Sequence, residues 1–181
     1  MSIPTLEEKM AALKVTPASP YERKCADALT RGAYEIAVQR TADILDEGYE
    51  IFMRSSRSSM GVAGDSIVAM FNASGDLVNA SAGTYLHAII PPIVIKYIIK
   101  NYSENPGIKD GDIFYTNDAL YGGIHNPDQV AITPVFFDGT LVGWTAALSH
   151  TTETGAKEPG GMPVSATSRF EEGMNLPPMK I

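Results

Sequence analysis

The sequence predicts an α+β fold: a long N-terminal helix, then a mixed or mostly antiparallel sheet in which one hairpin carries a candidate metal site. Three observations predict it. Apolar residues keep three- and four-residue spacing from about Tyr21 to about Met53. Two pairs of β-rich runs are each joined by turn formers, "NASGD" and "DG". The order is helix, hairpin, helix, strands, which is not the alternation of a doubly wound sheet.

Taken in order, "MSIPTLEEKMAALKV" reads as a short acidic helix and "TPASP", Thr16 to Pro20, as a Pro-punctuated linker. Residues 1–20 are expected to be helix and linker, and 21–181 the N-terminal part of a domain that further chain or partners complete. The long helix carries Leu29, Ala33, Ile36, Ala37, Ile44, Leu45, Gly48, Ile51 and Phe52 on its apolar face and stops at "RSSRSSMGVAG". "SIVAMF" and "LVNAS" form the first hairpin. "PPIVIKYIIKNYSENPG" opens on Pro and closes on "NPG", as a buried helix does. "GDIFYTND" is then a strand, with "GIKDGD" as its entry turn, and "QVAITPVFF" with "TLVGWTAALS" forms the second hairpin around Asp138-Gly139. The remainder is rich in Gly and Pro. It ends on "NLPPMKI", apolar but without a closing element, which predicts burial against further chain or a partner.

Composition excludes several functions. Of 181 residues, 44% are hydrophobic and 19% charged, a balance that supports a core without disulfides. A net charge of −7, with no basic run, disfavours nucleic acid and anionic membrane as partners. One cysteine, Cys25, fits a reducing compartment. The N-terminus lacks a signal-peptide pattern, and "AIIPPIVIKYII" is too short to span a bilayer. A soluble cytoplasmic protein is expected. There is no Walker A loop, no dinucleotide fingerprint and no nucleophile elbow.

The chemistry concentrates in "NDALYGGIHNPDQVAI", Asn117 to Ile132, and in "LSHTTETG". His125 and Asp128 are three residues apart, and His150 lies twenty-five residues after His125. Two imidazoles and a carboxylate suit a divalent metal with open positions. The second hairpin supplies the meeting point. About ten residues run back from its turn to Gln129 and about ten forward to Ser149, so His150 is expected beside Asp128. An ordinary polar turn is the other reading of the same residues. Asn117 and Asp118 would hold the loop by Asx-turn bonds or stand near the metal. Glu153 would orient an imidazole or face water. His87 is a further candidate ligand, although a hydrogen-bonded structural histidine is its ordinary role.

"GDIFYTNDALYGGIHNPDQVAITPVFFDGTLVGWTAALSHTTETGAKEPGGMP" resembles the signature region of the hydantoinase B/oxoprolinase family, with its Asn-Asp, Gly-Gly, His-x-Pro-Asp, Pro-Val-Phe and later His in order. Ala119 stands where the family has Pro, and Glu153 where it often has Asp. "ENPGIKDGDIF", "LVGW" and "SHTTETGAKEPGGM" are similar to the ketone carboxylase branch, of acetone and acetophenone carboxylase type. The resemblance implies that the chain covers only the N-terminal portion of a much longer subunit. It implies a divalent metal (Mn, Zn or Fe) on His125, Asp128 and His150, and no biotin. It implies ATP and Mg on a hydantoinase A-like partner within a hetero-oligomer. The expected reaction carboxylates a small carbonyl substrate, as its enol or enolate, with carboxyphosphate made from bicarbonate. ATP-driven hydrolysis of a cyclic amide is the alternative within the family, and a non-catalytic assembly subunit the alternative outside catalysis.

Overall fold

The computed structural model describes residues 2–181. Helix α1 (Leu6–Ala12) starts with a capping box: the Thr5 side chain accepts the Glu8 amide while the Glu8 carboxylate accepts the Thr5 amide. Helix α2 (Pro20–Asp27) repeats the device with Ser19 and Glu22. "TPASP" is therefore only partly a linker, since its last two residues start a helix.

The long helix is broken. After α2 the chain turns, and α3 runs Ala33–Ser55 from Gly32, whose φ of +82° lies in the left-handed region. The apolar spacing continues through the break, so periodicity could not reveal it. A short helix α4 (Ser59–Val62) leads into the sheet.

The sheet has six strands: β1 (Ser66–Asn72), β2 (Leu77–Ala82), β3 (Phe114–Thr116), β4 (Asp128–Phe137), β5 (Thr140–His150) and β6 (Met179–Lys180). Their order is β2-β1-β5-β4-β3-β6, and every pair is antiparallel. Helices α5 (Leu86–Ile89) and α6 (Pro91–Tyr102) lie between β2 and β3 in sequence. Both expected hairpins are present. At the second, Asp138 and Gly139 take φ of +47° and +74°, as a two-residue type I′ turn requires. The tail differs from expectation, because β6 does close the sheet by pairing with β3. A strand of two residues is too short to leave an alternation pattern.

Alternate residues build the core. Ile67, Ala69 and Phe71 of β1, Val130 and Ile132 of β4, and Trp144, Ala146 and Leu148 of β5 share one face. Val94, Ile95 and Ile98 of α6 cover it. The same period of two carries that face on to Asp128 at the start of β4 and His150 at the end of β5. The site is therefore the polar end of the hydrophobic core.

Lys96 of α6 ties the N-terminal segment down. Its Nζ donates to the Ala12 and Lys14 carbonyls, each at 2.8 Å, and to Asp76 Oδ1 at 2.6 Å. Burial alone would raise the Asp76 carboxyl, but Lys96 and the Thr16 amide hold it below the ordinary carboxylate range. A depressed acid stabilises the fold above the unfolded pKa of about 3.9 and loses that stability as pH falls through its folded value. Asp76→Asn is therefore expected to cost about 1.5–3 kcal/mol at pH 7. The gap to the parent should close as the pH drops below 4, which urea melts at stepped pH will read.

Helix α3 presents Ile36, Ile44 and Ile51 to solvent, each at least half exposed. This open apolar face predicts that the 181 residues expressed alone bind a hydrophobic dye strongly. A monodisperse, cooperatively melting monomer would contradict it.

Candidate metal centre

Asp128 and His150 are cross-strand partners in the β4–β5 ladder. His125 joins them from the preceding turn, which the Asp128 amide closes on the His125 carbonyl at 3.0 Å. The Thr151 amide then bonds the Pro127 carbonyl at 2.8 Å and fixes that turn to the end of β5. His125 Nε2 lies 3.2 Å from Asp128 Oδ2, and His150 Nδ1 lies 3.3 Å from Asp128 Oδ1. The two imidazole centroids are 4.8 Å apart. One ligand atom from each of the three residues falls within 4.8 Å of the others, so the set could hold a metal ion. The register inferred from counting residues about the turn is the register observed.

The state of Asp128 tests the fit. It is 1% exposed, yet neither carboxylate oxygen takes part in a hydrogen bond among the described residues. Imidazole nitrogens approach it without hydrogen-bond geometry. A buried carboxylate with no donor is costly. Burial accordingly pushes its pKa up, against the pull of His87, His125 and His150. A cation between these groups removes that cost, and two nitrogen donors with one oxygen donor suit a divalent transition metal.

Sequence reasoning missed Asp65. It precedes β1, and β1 lies antiparallel to β5, so it comes level with His150, whose amide donates to the Asp65 carbonyl at 3.0 Å. Its Oδ2 lies 3.3 Å from His150 Nδ1, and its Oδ1 accepts from His87 Nε2 at 2.7 Å and Thr84 Oγ1 at 3.1 Å. Burial raises this carboxyl, but the His87 and Thr84 bonds leave it below its ordinary value. His87 is 3% exposed; its Nδ1 lacks a hydrogen-bond partner among the described residues and lies 3.8 Å from Asp128 Oδ2. It is thus hydrogen-bonded, as expected of a structural histidine, and also adjacent to the centre. The "GD" before the first strand was the one signal for Asp65, and using it required knowing that β1 sits beside β5.

The remaining candidates hold the surrounding loops. Asn117 is fully buried and bonds across the chain rather than in an Asx turn. Its Nδ2 donates to the Asn126 and Met174 carbonyls, each at 2.8 Å, and its Oδ1 accepts the Leu176 amide at 2.7 Å. Asp118 does make the Asx bond, to the Leu120 amide at 2.9 Å, and pairs with Arg169 at 2.7 Å. Gly122, at φ +119°, lets this loop pass over α6: a Cβ there would stand 2.9 Å from Ile93 Cγ2. Glu153 is engaged with its own loop instead of an imidazole. Its carboxylate accepts the amides of Gly160, Gly155 and Thr154 at 2.9–3.0 Å, bonds that lower its pKa.

A cleft of about 370 Å³ between α1 and α6 contains none of the candidate ligands, and its central Lys96 is already engaged three times. A cavity of about 270 Å³ borders His125 directly and is the one placed for chemistry at the centre. Among the described residues, no helix is long and apolar enough to cross a membrane.

Comparison with known proteins follows the same lines. The chain is 62% identical over all 181 residues to the acetophenone carboxylase delta subunit of Aromatoleum aromaticum, and spans 26% of that subunit. It is 37% identical over 119 residues to the acetone carboxylase alpha subunit of Xanthobacter autotrophicus, 65% of this chain and 15% of that one. The solved nucleotide-free structure of acetone carboxylase aligns with 96% of the chain and 23% of its own, at a TM-score of 0.74 and 31% identity. The ATP-dependent caprolactamase from Pseudomonas jessenii aligns with 83% of the chain and 26% of its own, at 0.70 and 26%. Residues 32–181 match the hydantoinase B/oxoprolinase family over most of the chain. The fold, the order of motifs and these likenesses agree, and the chain belongs to the hydantoinase B/oxoprolinase family.

Proposed function

We propose that this chain is the metal-binding part of an ATP-dependent, biotin-independent ketone carboxylase. It would work in the cytoplasm within a hetero-oligomer whose hydantoinase A-like subunit binds ATP and Mg. The observation that carries the reading is the buried, unbonded Asp128 carboxylate between two imidazoles. The likeness to acetophenone and acetone carboxylase subunits supports the choice of reaction.

His125, Asp128 and His150 would hold a divalent cation, Mn, Zn or Fe. When bound, that cation supplies Lewis-acid polarisation of a carbonyl or carboxyl oxygen. The other groups act through position. Asp128 sets a carboxylate that is 1% exposed between the two imidazoles. Asp65 Oδ2 lies 3.3 Å from His150 Nδ1, the same nitrogen that faces Asp128, and so adds a second carboxylate beside the centre. His125, a third exposed, is the member of the triad that faces the cavity and meets the incoming substrate. Asn117 keeps the His125 loop fastened to β3. A ketone held there as its enol or enolate would be carboxylated by carboxyphosphate formed from bicarbonate.

The test is elemental analysis of the purified hetero-oligomer together with ATP turnover on a ketone panel. We expect about one transition metal per copy of this chain and turnover that needs both a ketone and bicarbonate. A second reading, hydrolysis of a cyclic amide, is favoured by the likeness to the caprolactamase beta subunit, 31% over 157 residues. It predicts ATP turnover with a lactam and no need for bicarbonate. A complex that keeps full activity without metal would make the chain an assembly subunit.

A further inference from the structure

The cleft between α1 and α6 shares no residue with the candidate metal centre. Its lining is basic, in a chain whose net charge is −7. Lys9, Lys14, Lys96 and Lys100 stand on it, and Glu8 is the one carboxylate among the described lining residues. Ile93 and Tyr97 of α6 form an apolar floor, and Ala12 of α1 faces the same space.

Two of the lysines build the cleft, and two are left over. The Lys96 ammonium takes the Ala12 and Lys14 carbonyls and the Asp76 carboxylate. The acceptors at the end of α1, which would otherwise repel an anion, are therefore satisfied. Lys100 Nζ lies 2.7 Å from Glu8 Oε1, so the one lining carboxylate is paired as well. Lys9 is half-buried and Lys14 exposed, and neither ammonium makes a hydrogen bond or ion pair among the described residues. The positive excess of the lining is carried by these two groups.

We infer that this cleft binds a small organic anion, one that joins an apolar body to a phosphate or carboxylate group. The inference is independent of the metal centre and of the reaction proposed above. A cleft lined by one sign of charge concentrates ions of the opposite sign. Lys9 and Lys14 meet the anionic group through charge-assisted hydrogen bonds. Ile93, Ala12 and the Tyr97 ring cover the apolar body, which sets an organic anion apart from a plain counter-ion. At about 370 Å³ the cleft falls within the range of roughly 300–1,000 Å³ that takes small-molecule ligands.

Titration calorimetry on the purified, assembled complex tests this, with metal removed by chelator so that the centre does not contribute. The probes are phenyl phosphate, phenylacetate, inorganic phosphate and benzyl alcohol. An aromatic anion should bind at one site per copy of this chain, and the tighter of the two names the anionic group. Inorganic phosphate and benzyl alcohol should each bind about tenfold more weakly or worse, because each lacks one half of the recognition. Reversing both charges, with Lys9→Glu and Lys14→Glu together, should weaken the aromatic anion by about tenfold or more at an unchanged melting temperature. Lys9→Arg with Lys14→Arg should keep it. Glu8→Gln preserves the capping box and releases Lys100, so it should tighten binding. Lys109→Glu, outside the cleft, should change nothing. Failure of both aromatic anions to bind overturns the inference, as does binding indifferent to the double charge reversal. So does an equal loss in Lys109→Glu, or equal binding of inorganic phosphate, which would make the cleft a seat for loose counter-ions only.

Discussion

Asp128→Asn should strip the centre of its metal while leaving the protein folded. The substitution keeps the shape and removes the one charged ligand at the meeting of β4 and β5. Losing a group that merely supports a ligand costs ten- to hundredfold in metal affinity, so losing the carboxylate itself should cost on the order of a hundredfold or more. ATP-dependent turnover of the full complex should fall with occupancy. In chelated protein the sign reverses. Asp128 is then a buried charge without a hydrogen bond, and Asn relieves that cost, so the variant should melt at or above the parent. His125→Ala should abolish binding with little effect on the metal-free melt, because the ring is a third exposed. His150→Ala should lower both, because its ring is buried beneath the sheet end. Elemental analysis paired with melts in chelator separates these cases. A generic polar turn would lose stability in all three and show no metal dependence.

Asn117→Ala should be the most damaging single change outside the triad. Three bonds vanish at once, and the Leu176 amide and the Asn126 and Met174 carbonyls are left without their partner. At about 1–3 kcal/mol for each buried polar group left unpaired, the loss is roughly 3 kcal/mol or more. Because Asn126 neighbours His125, metal affinity should fall as well. Denaturant melts with and without metal will read both effects. A loss under about 1 kcal/mol would mean that the tail is not held through this residue.

These residues show what the sequence could and could not carry. The β4–β5 register was legible because a two-residue "DG" turn fixes the count on both sides, and a strand's period of two then decides the face. That placed Asp128 and His150 together, and the first hairpin and α6 were legible by the same local rules. What failed was non-local or too short. Gly32 breaks the long helix by a left-handed backbone that leaves the apolar spacing intact. The strand Met179–Lys180 has no pattern to read. Asp65 enters the site through the pairing of β1 with β5, a contact across some eighty residues that no turn dictates. Of the two readings open for Glu153, orienting an imidazole or facing water, its exposed position fits the second. The strand ends at His150, and the carboxylate turns instead to the amides of Gly155 and Gly160.

The central question is where a metal binds. Diffraction from the metal-loaded protein, collected at the absorption edge of the bound element, locates it without assumptions about activity. We predict one anomalous peak about 2.0–2.3 Å from a nitrogen of His125, a carboxylate oxygen of Asp128 and a nitrogen of His150. A fully active complex with no peak between these three side chains would contradict the account.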